Sequence, residues 1–175
     1  PAAPDRPILY ALALFGGAAE DWVGPGTGST GELMQRKLAA VRQAVALHQA
    51  HLKDPLELLR RLGGREIAAM AGAILAARME KIPVIVDGFV ASAAAAVLYA
   101  ANPESIDHCL FGHVSAEPGH RRLLEKLGKK PLLDLGMRLG EGTGAALAAG
   151  IVKAAAACHG GMATFEQAGV TSAAK

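Results

Sequence analysis

Aromatic side chains make up only 4% of this 175-residue chain, and cysteine occurs twice, at Cys109 and Cys158. Two thiols cannot build a disulfide scaffold. Few large rings mean that close packing must come from small residues: about a fifth of the chain is alanine, and 21 residues are glycine. Such a composition suits helices lying tightly on one another or on a sheet, and backbone lying close to a ligand. Charge of one sign is also lacking. Eighteen basic against sixteen acidic residues leave a net charge of +2, which does not ask for a nucleic-acid partner. The one dense basic stretch, His120-Arg121-Arg122 through Lys129-Lys130, reads as a solvated helix face interrupted by Glu125. No apolar run approaches the ~18 residues that a transmembrane helix needs, and no membrane partner is expected. The stretch Pro1-Ala2-Ala3-Pro4-Asp5-Arg6 does not read as a signal peptide, and a cytoplasmic address with both thiols reduced is the expectation. The chain opens on Pro1 rather than Met, which suggests a processed or truncated product.

What is present fits one α/β domain with a well-filled core. At 51% hydrophobic and 19% charged, disorder is excluded. ILYALALF (8–15) is a continuous apolar run that suits a buried helix or strand equally. A turn-rich segment, 24–31, follows, with Ser29 and Glu32 at capping-box spacing ahead of a helix. Asp54-Pro55 followed by Glu57 predicts an N-cap, an N1 proline and a first-turn acid, and Gly63-Gly64 predicts the end of that short helix. A helix over 65–80 precedes IPVIV (82–86), a β-branched strand that runs into Asp87-Gly88. An alanine-rich helix over 90–101 comes next, then a strand over 108–112, a helix over 118–128 and the apolar segment 131–136. A glycine-rich turn over 140–144 opens a helix over 144–158, and a last short helix covers 162–168. Strands alternating with helices predict a Rossmann-like parallel sheet flanked by helices, with a small carboxyl-terminal helical segment. The division is expected at 150, with the α/β domain over 1–150 and the helical segment over 151–175.

In such sheets ligands sit beyond the carboxyl ends of the strands. Asp87, Ser115 and Glu141 each follow an apolar segment and precede a helix, so all three can meet in one crevice. Glu141 lies between Gly140 and Gly142 at a helix mouth, beside Leu139. An apolar neighbour there would desolvate the carboxylate and suit it to general-base work; the plainer reading is an exposed first-turn acid favoured by the helix dipole. The turn with Gly24 and Gly26 offers backbone N–H groups to a phosphate, or is an ordinary loop. Lys37 reaches toward a phosphate or toward Asp87, or is a surface lysine. Ser115 is a nucleophile only if His113 or His120 is within reach, and otherwise an N-cap or a ligand-binding hydroxyl. His48 and His51 have metal-like spacing without partners of the right type, so no metal is expected. Cys109 and Cys158 read as inert. LLDLGMRLGEGTG faintly suggests a methyltransferase glycine motif, but the glycines are not contiguous with the strand.

Five strings in order, GPGTG (24–28), DPLELLRRLGGREIAAMAGAILAA (54–77), IPVIVDGF (82–89), SAEPGH (115–120) and LLDLGMRLGEGTGAALA (132–148), resemble the carboxyl-terminal half of nicotinate-nucleotide–dimethylbenzimidazole phosphoribosyltransferases. The resemblance implies phosphoribosyl transfer from nicotinate mononucleotide to 5,6-dimethylbenzimidazole. The products are nicotinate and α-ribazole 5′-phosphate, for the lower ligand of cobalamin. It implies that Glu141 is the general base and that Leu139 lines the slot for the flat base, with Gly140 and Gly142 beside it. It also implies Ser115 near the nucleotide, Lys37 near its phosphate with Asp87 holding it, and Gly24 and Gly26 along the phosphate and ribose. The family works without metal or organic cofactor, usually as a homodimer. Its members are about twice as long and carry a further phosphate loop upstream. The alternative is therefore a truncated nucleotide- or benzimidazole-binding module, or an assembly partner for another chain.

Overall fold

The computed structural model describes residues 6–24 and 31–170. Among them the apolar run near the amino terminus resolves as helix α1 (Arg6–Phe15), buried continuously from Pro7 to Ala13. A helix, unlike a short strand, satisfies its own backbone inside a core, so every side of it can be packed. Helix α2 (Glu32–Leu47) starts after Gly31; the expected cap Ser29 lies outside the described residues.

Helix α3 (Pro55–Leu62) begins as its residues dictate. The Asp54 carboxylate accepts the N–H groups of Leu56 and Glu57 at 2.9 and 3.1 Å, and Pro55 occupies the first turn. Gly63 ends the helix at φ 71°, a backbone state open to glycine without steric cost. Tyr10 of α1 donates its hydroxyl to the Gly63 carbonyl at 2.8 Å and reaches that of Leu59 at 3.3 Å. The hydroxyl thus satisfies the carbonyl of Gly63 at the helix end, while that of Leu59 also accepts the Gly63 N–H at 3.1 Å. Burial raises its pKa to about 12, so it stays a donor at any ordinary pH.

Helix α4 (Arg65–Met79) leads to strand β1 (Val84–Val86). The strand starts two residues later than the apolar run suggests. Ile82 still donates its N–H to Ala77 at the exit of α4, and Pro83 has no N–H for a ladder. Helix α5 (Phe89–Ala101), strand β2 (Cys109–His113), helix α6 (Pro118–Lys126), strand β3 (Pro131–Leu133) and helix α7 (Thr143–Gly161) complete the order. The three strands form one parallel sheet in the order β1-β2-β3, with Val86 opposite Phe111 and His113 opposite Leu133.

Helix α5 lies at the centre, against α1, α4, α3 and α6. Its Ala93 to Val97 are wholly buried, and their small side chains are what let so many helices approach. Around it Leu58, Ile67, Ile106 and Leu123 are fully buried, each favouring the fold by roughly 1.5–3 kcal/mol of transfer free energy. Helix α7 packs on β2, β1 and β3; Gly144 and Ala148 are buried in its first turns, whereas most residues from 149 onward are exposed. Residue 150 falls inside this unbroken helix. Residues 165–169 form hydrogen-bonded turns rather than the expected short helix. Thr164 and Gln167 cap each other there, yet residues 162–170 are exposed, with no described neighbour burying them to extend the turn. No helix among the described residues is long and apolar enough to cross a membrane.

Candidate functional site

The carboxyl ends of β1 and β2 and the amino end of α7 meet at one edge of the sheet. Asp87 follows β1, and its Oδ1 accepts the Ala145 N–H at 2.8 Å. Ala145 is the third residue of α7. The residue at that helix's N-cap is Gly142, in the left-handed region at φ 74°, with no side chain to offer. Asp87 therefore supplies, from 58 residues away in sequence, the cap that the helix lacks locally, and its charge meets the positive end of the helix dipole.

Glycines make this junction possible. A Cβ on Gly112 would lie 3.1 Å from the Ala145 Cα, and one on Gly144 would overlap the His113 ring. The helix mouth is thus pressed onto the ends of two strands. Ahead of it Gly140, Glu141 and Gly142 all have positive φ, at 82°, 57° and 74°. For Glu141, a residue with a Cβ, that backbone costs about 1–2 kcal/mol. The Thr143 N–H and hydroxyl both donate to the Gly140 carbonyl, at 3.1 and 2.8 Å, and hold the turn shut.

The loop after β2 is tied down from beneath. Ser115 donates its backbone N–H to His120 Nδ1 at 2.8 Å, and His120 Nε2 lies 2.9 Å from Ser92 Oγ in α5. An Nδ1 that accepts leaves the ring proton on Nε2, which donates to Ser92. Burial, reinforced by neighbouring His113 and Arg121, pushes the His120 pKa down to about 3, so the ring is neutral under ordinary conditions. Phe89 stacks on it at 5.6 Å. This corrects the reading of residues 120–130 as a solvated face: His120 is core. Arg121 pairs with Asp134 at 2.6 Å, while Arg122 pairs with Asp21 and lies over the Trp22 ring.

Ser115 is not built as a nucleophile with these histidines. Its Oγ accepts the Glu117 N–H at 3.0 Å, and it is the Ser115 backbone that meets His120. Nor is Ser115 the N-cap of α6, a position that Glu117 occupies. A hydroxyl two residues before the cap closes a serine turn and leaves the loop well defined. The Ala116 N–H donates to Met137, and that of Val114 to Leu133, so the loop after β3 runs beside the one after β2.

On the far side, Gly24 packs against Glu117 and Pro118 so closely that a Cβ would overlap the Glu117 carboxylate. Lys37 Nζ donates to the Gly24 carbonyl at 3.4 Å. Gly26 lies outside the described residues. Asp87, expected to hold Lys37, is engaged by the Ala145 N–H and faces His113 Nε2 at 3.8 Å. Leu139 is 75% exposed and Glu141 is exposed. Within the described residues, then, no apolar wall shields the carboxylate as the sequence suggested, because nothing packs over the turn at 139–142.

Sequence reasoning weighs His113 and His120 only as partners for the Ser115 hydroxyl, and does not read them as a buried cluster with Ser92. The available signal was a histidine ending an otherwise apolar strand, CLFGH, with glycines at 88, 112 and 144 leaving room for its ring. Among the described residues no three His, Cys, Asp or Glu side chains converge as a metal-binding set. Cys109 is buried, with its pKa raised to about 11 by desolvation, which makes it unreactive.

A parallel sheet flanked by helices, with glycines at its strand ends and the mouth of α7 pressed onto them, defines an α/β protein of the class in which ligands bind beyond the carboxyl ends of the strands. A family model described as Phosphoribosyltransferase matches residues 8–170. The nicotinate-nucleotide–dimethylbenzimidazole phosphoribosyltransferase of Brucella anthropi is 91% identical over 161 residues, 92% of this chain and 48% of that protein. Its counterpart in Brucella canis is 90% identical over 162 residues, again 48% of that protein. The crystal structure of CobT from Thermus thermophilus superposes with a TM-score of 0.90 at 42% identity, covering 97% of this chain and 50% of that one. The chain belongs to the nicotinate-nucleotide–dimethylbenzimidazole phosphoribosyltransferase family. It spans about half the length of the curated relatives it matches.

Proposed function

We propose that this chain carries the base-bearing part of an enzyme that moves phosphoribose from nicotinate mononucleotide to 5,6-dimethylbenzimidazole in cobalamin lower-ligand synthesis. The observation that carries the reading is Glu141, held at φ 57° between two glycines at the mouth of a helix. Backbone strain of this kind persists where function requires a side chain at that point. In the reaction, the Glu141 carboxylate takes the azole N–H proton. The other ring nitrogen bonds to the ribose anomeric carbon, and nicotinate leaves with the electrons of the broken glycosidic bond. Attack from the face opposite the leaving group inverts that carbon and gives α-ribazole 5′-phosphate.

Leu139, Gly140 and Gly142 would border the flat base. The Ser115 loop, Gly24, Gly26 and Lys37 would face the nucleotide, with Lys37 near its phosphate and Asp87 ordering the floor. The reading includes cytoplasmic location, a homodimer, and an α/β domain through residue 150 with the rest of α7 in a small helical domain. No step calls for a metal or organic cofactor.

The test is release of nicotinate from nicotinate mononucleotide in the presence of dimethylbenzimidazole. Glu141→Gln should lower kcat by about 10²–10⁴-fold, the usual worth of a general base, with the circular dichroism spectrum unchanged. Turnover retained in the folded variant would refute the assignment. One observation favours a second reading: Glu141, Leu139 and the distal part of α7 are exposed in a chain half as long as its relatives. On that reading the chain binds nucleotide or azole and turns over only when joined to a partner chain. Tight dimethylbenzimidazole binding without nicotinate release would favour it.

A further inference from the structure

His113 is 1% exposed, and neither ring nitrogen has a hydrogen-bond partner among the described residues. A buried imidazole without partners calls for an explanation. Its surroundings offer one. A Cβ on Gly88 would lie 3.1 Å from Nε2, and one on Gly144 would overlap the ring, so the imidazole is wedged between the start of α5 and the start of α7. Its Nε2 faces the Asp87 Oδ1 that caps Ala145, at 3.8 Å. That gap exceeds a hydrogen bond by about 1 Å, and hydrogen bonds within a catalytic site are often long until substrate is bound. The other edge of the pocket is fixed, because the neutral His120 ring meets His113 edge-on at 6.1 Å and is itself held by Ser92 and Ser115.

We propose that His113 is a positioning residue: its Nε2–H closes on Asp87, locks the first turn of α7, and thereby fixes the Gly140–Gly142 turn that carries Glu141. This rests on the reading of Glu141 as the base. His113 itself touches no reacting atom. Its role is to keep the capping carboxylate from rotating away from the Ala145 N–H, so that the helix mouth cannot drift.

Leucine and glutamine are of similar size and differ at the polar end, so His113→Leu and His113→Gln isolate the N–H. In the full chain supplied with nicotinate mononucleotide and dimethylbenzimidazole, His113→Leu should lower kcat by about ten- to a hundredfold, as small misplacements do. Both KM values should stay within about twofold, since uniform binding is untouched. His113→Gln should recover most of the loss. Amide exchange at Ala145 should quicken by about tenfold or more in the leucine variant, with exchange in α5 unchanged, because the opening is local. Equal behaviour of the two variants, a loss confined to KM, or equal acceleration throughout α5 would each overturn the proposal. A wild-type chain silent toward both substrates would count against the reaction, not the lock, which the Ala145 exchange comparison then decides.

Discussion

Helices α5 and α7 are built from nearly the same material and end up in opposite surroundings. FVASAAAAVLYAA is buried on almost every side, whereas TGAALAAGIVKAAAACHGG is buried only at Gly144 and Ala148. Alanine has no preference strong enough to decide between these fates; it permits close approach from whichever elements are there. Four helices and the sheet surround α5, while α7 has the ends and one face of a three-stranded sheet beneath its first turns. Burial is a property of the neighbours, and two stretches of like composition can differ completely in what a mutation does to them.

The sharpest way to break this comparison is to add the same bulk to both helices. Ala95 is wholly buried in α5 and Ala155 is exposed in α7. Ala95→Leu should cost up to about 3 kcal/mol, because extra methylenes in a filled core force backbone and rotamer shifts. Ala155→Leu should stay within about 0.5 kcal/mol, as surface substitutions do. Urea unfolding with an unchanged m-value provides the comparison. A loss at Ala155 as large as at Ala95 would mean that the distal part of α7 is covered in solution.

How much of this was legible beforehand follows from the same contrast. Local chemistry was readable where the cause is local. Asp54, Pro55 and Gly63 bound α3 because caps, a missing N–H and a left-handed glycine act within one turn. The parallel α/β order was readable from β-branched runs such as Val84–Val86 alternating with helical periods. The resemblance carried by RLGEGTG pointed to Glu141 and to its neighbours. What could not be read depends on residues far apart in sequence. Nothing near Asp87 says that its carboxylate caps a helix 58 residues on. Nothing in HCLFGHV says that His113 ends in a slot cut by Gly88 and Gly144. His120 looked like part of a basic surface because Arg121 and Arg122 follow it, yet it is the residue that turns inward toward Ser92. Leu139 was expected to shield Glu141, and it does not, because shielding needs an opposing element that residue type alone cannot supply.

Acid offers a second probe, one that should act on the α5 side of the comparison first. His120 bridges Ser92 of α5 to the Ser115 loop, and its folded pKa of about 3 lies below its unfolded value of about 6.5. The unfolded chain therefore binds the proton more readily. The stability this confers is complete above pH 6.5 and falls as pH drops toward 3, by at most about 1.4 kcal/mol per unit and by about 2 kcal/mol at pH 5. His120→Gln should flatten that slope. Exchange in α5 should quicken at pH 5 in the wild type, whereas the exposed part of α7, which holds no buried histidine, should show no comparable change. An acid slope that survives His120→Gln would place its source elsewhere.

The smallest expected effect concerns how the two helices begin. Helix α5 is entered through Gly88 at φ −109°, ordinary extended backbone. Helix α7 is entered through three left-handed residues, of which only Glu141 carries a Cβ. Glu141→Gly should relieve the roughly 1–2 kcal/mol of strain at that residue, offset by the greater freedom that glycine brings to the unfolded chain, about 0.5–1 kcal/mol. The net gain should be about 0.5–1 kcal/mol relative to Glu141→Ala, which removes the same carboxylate and keeps the strain. In a chain of this size that is a rise of about 1–4 °C in Tm. If Glu141 is the base as proposed, both variants should be equally inactive, so stability and turnover separate cleanly. If the glycine variant melted no higher than the alanine variant, the turn would hold Glu141 without strain, and the two helix entrances would not differ in the way their backbones suggest.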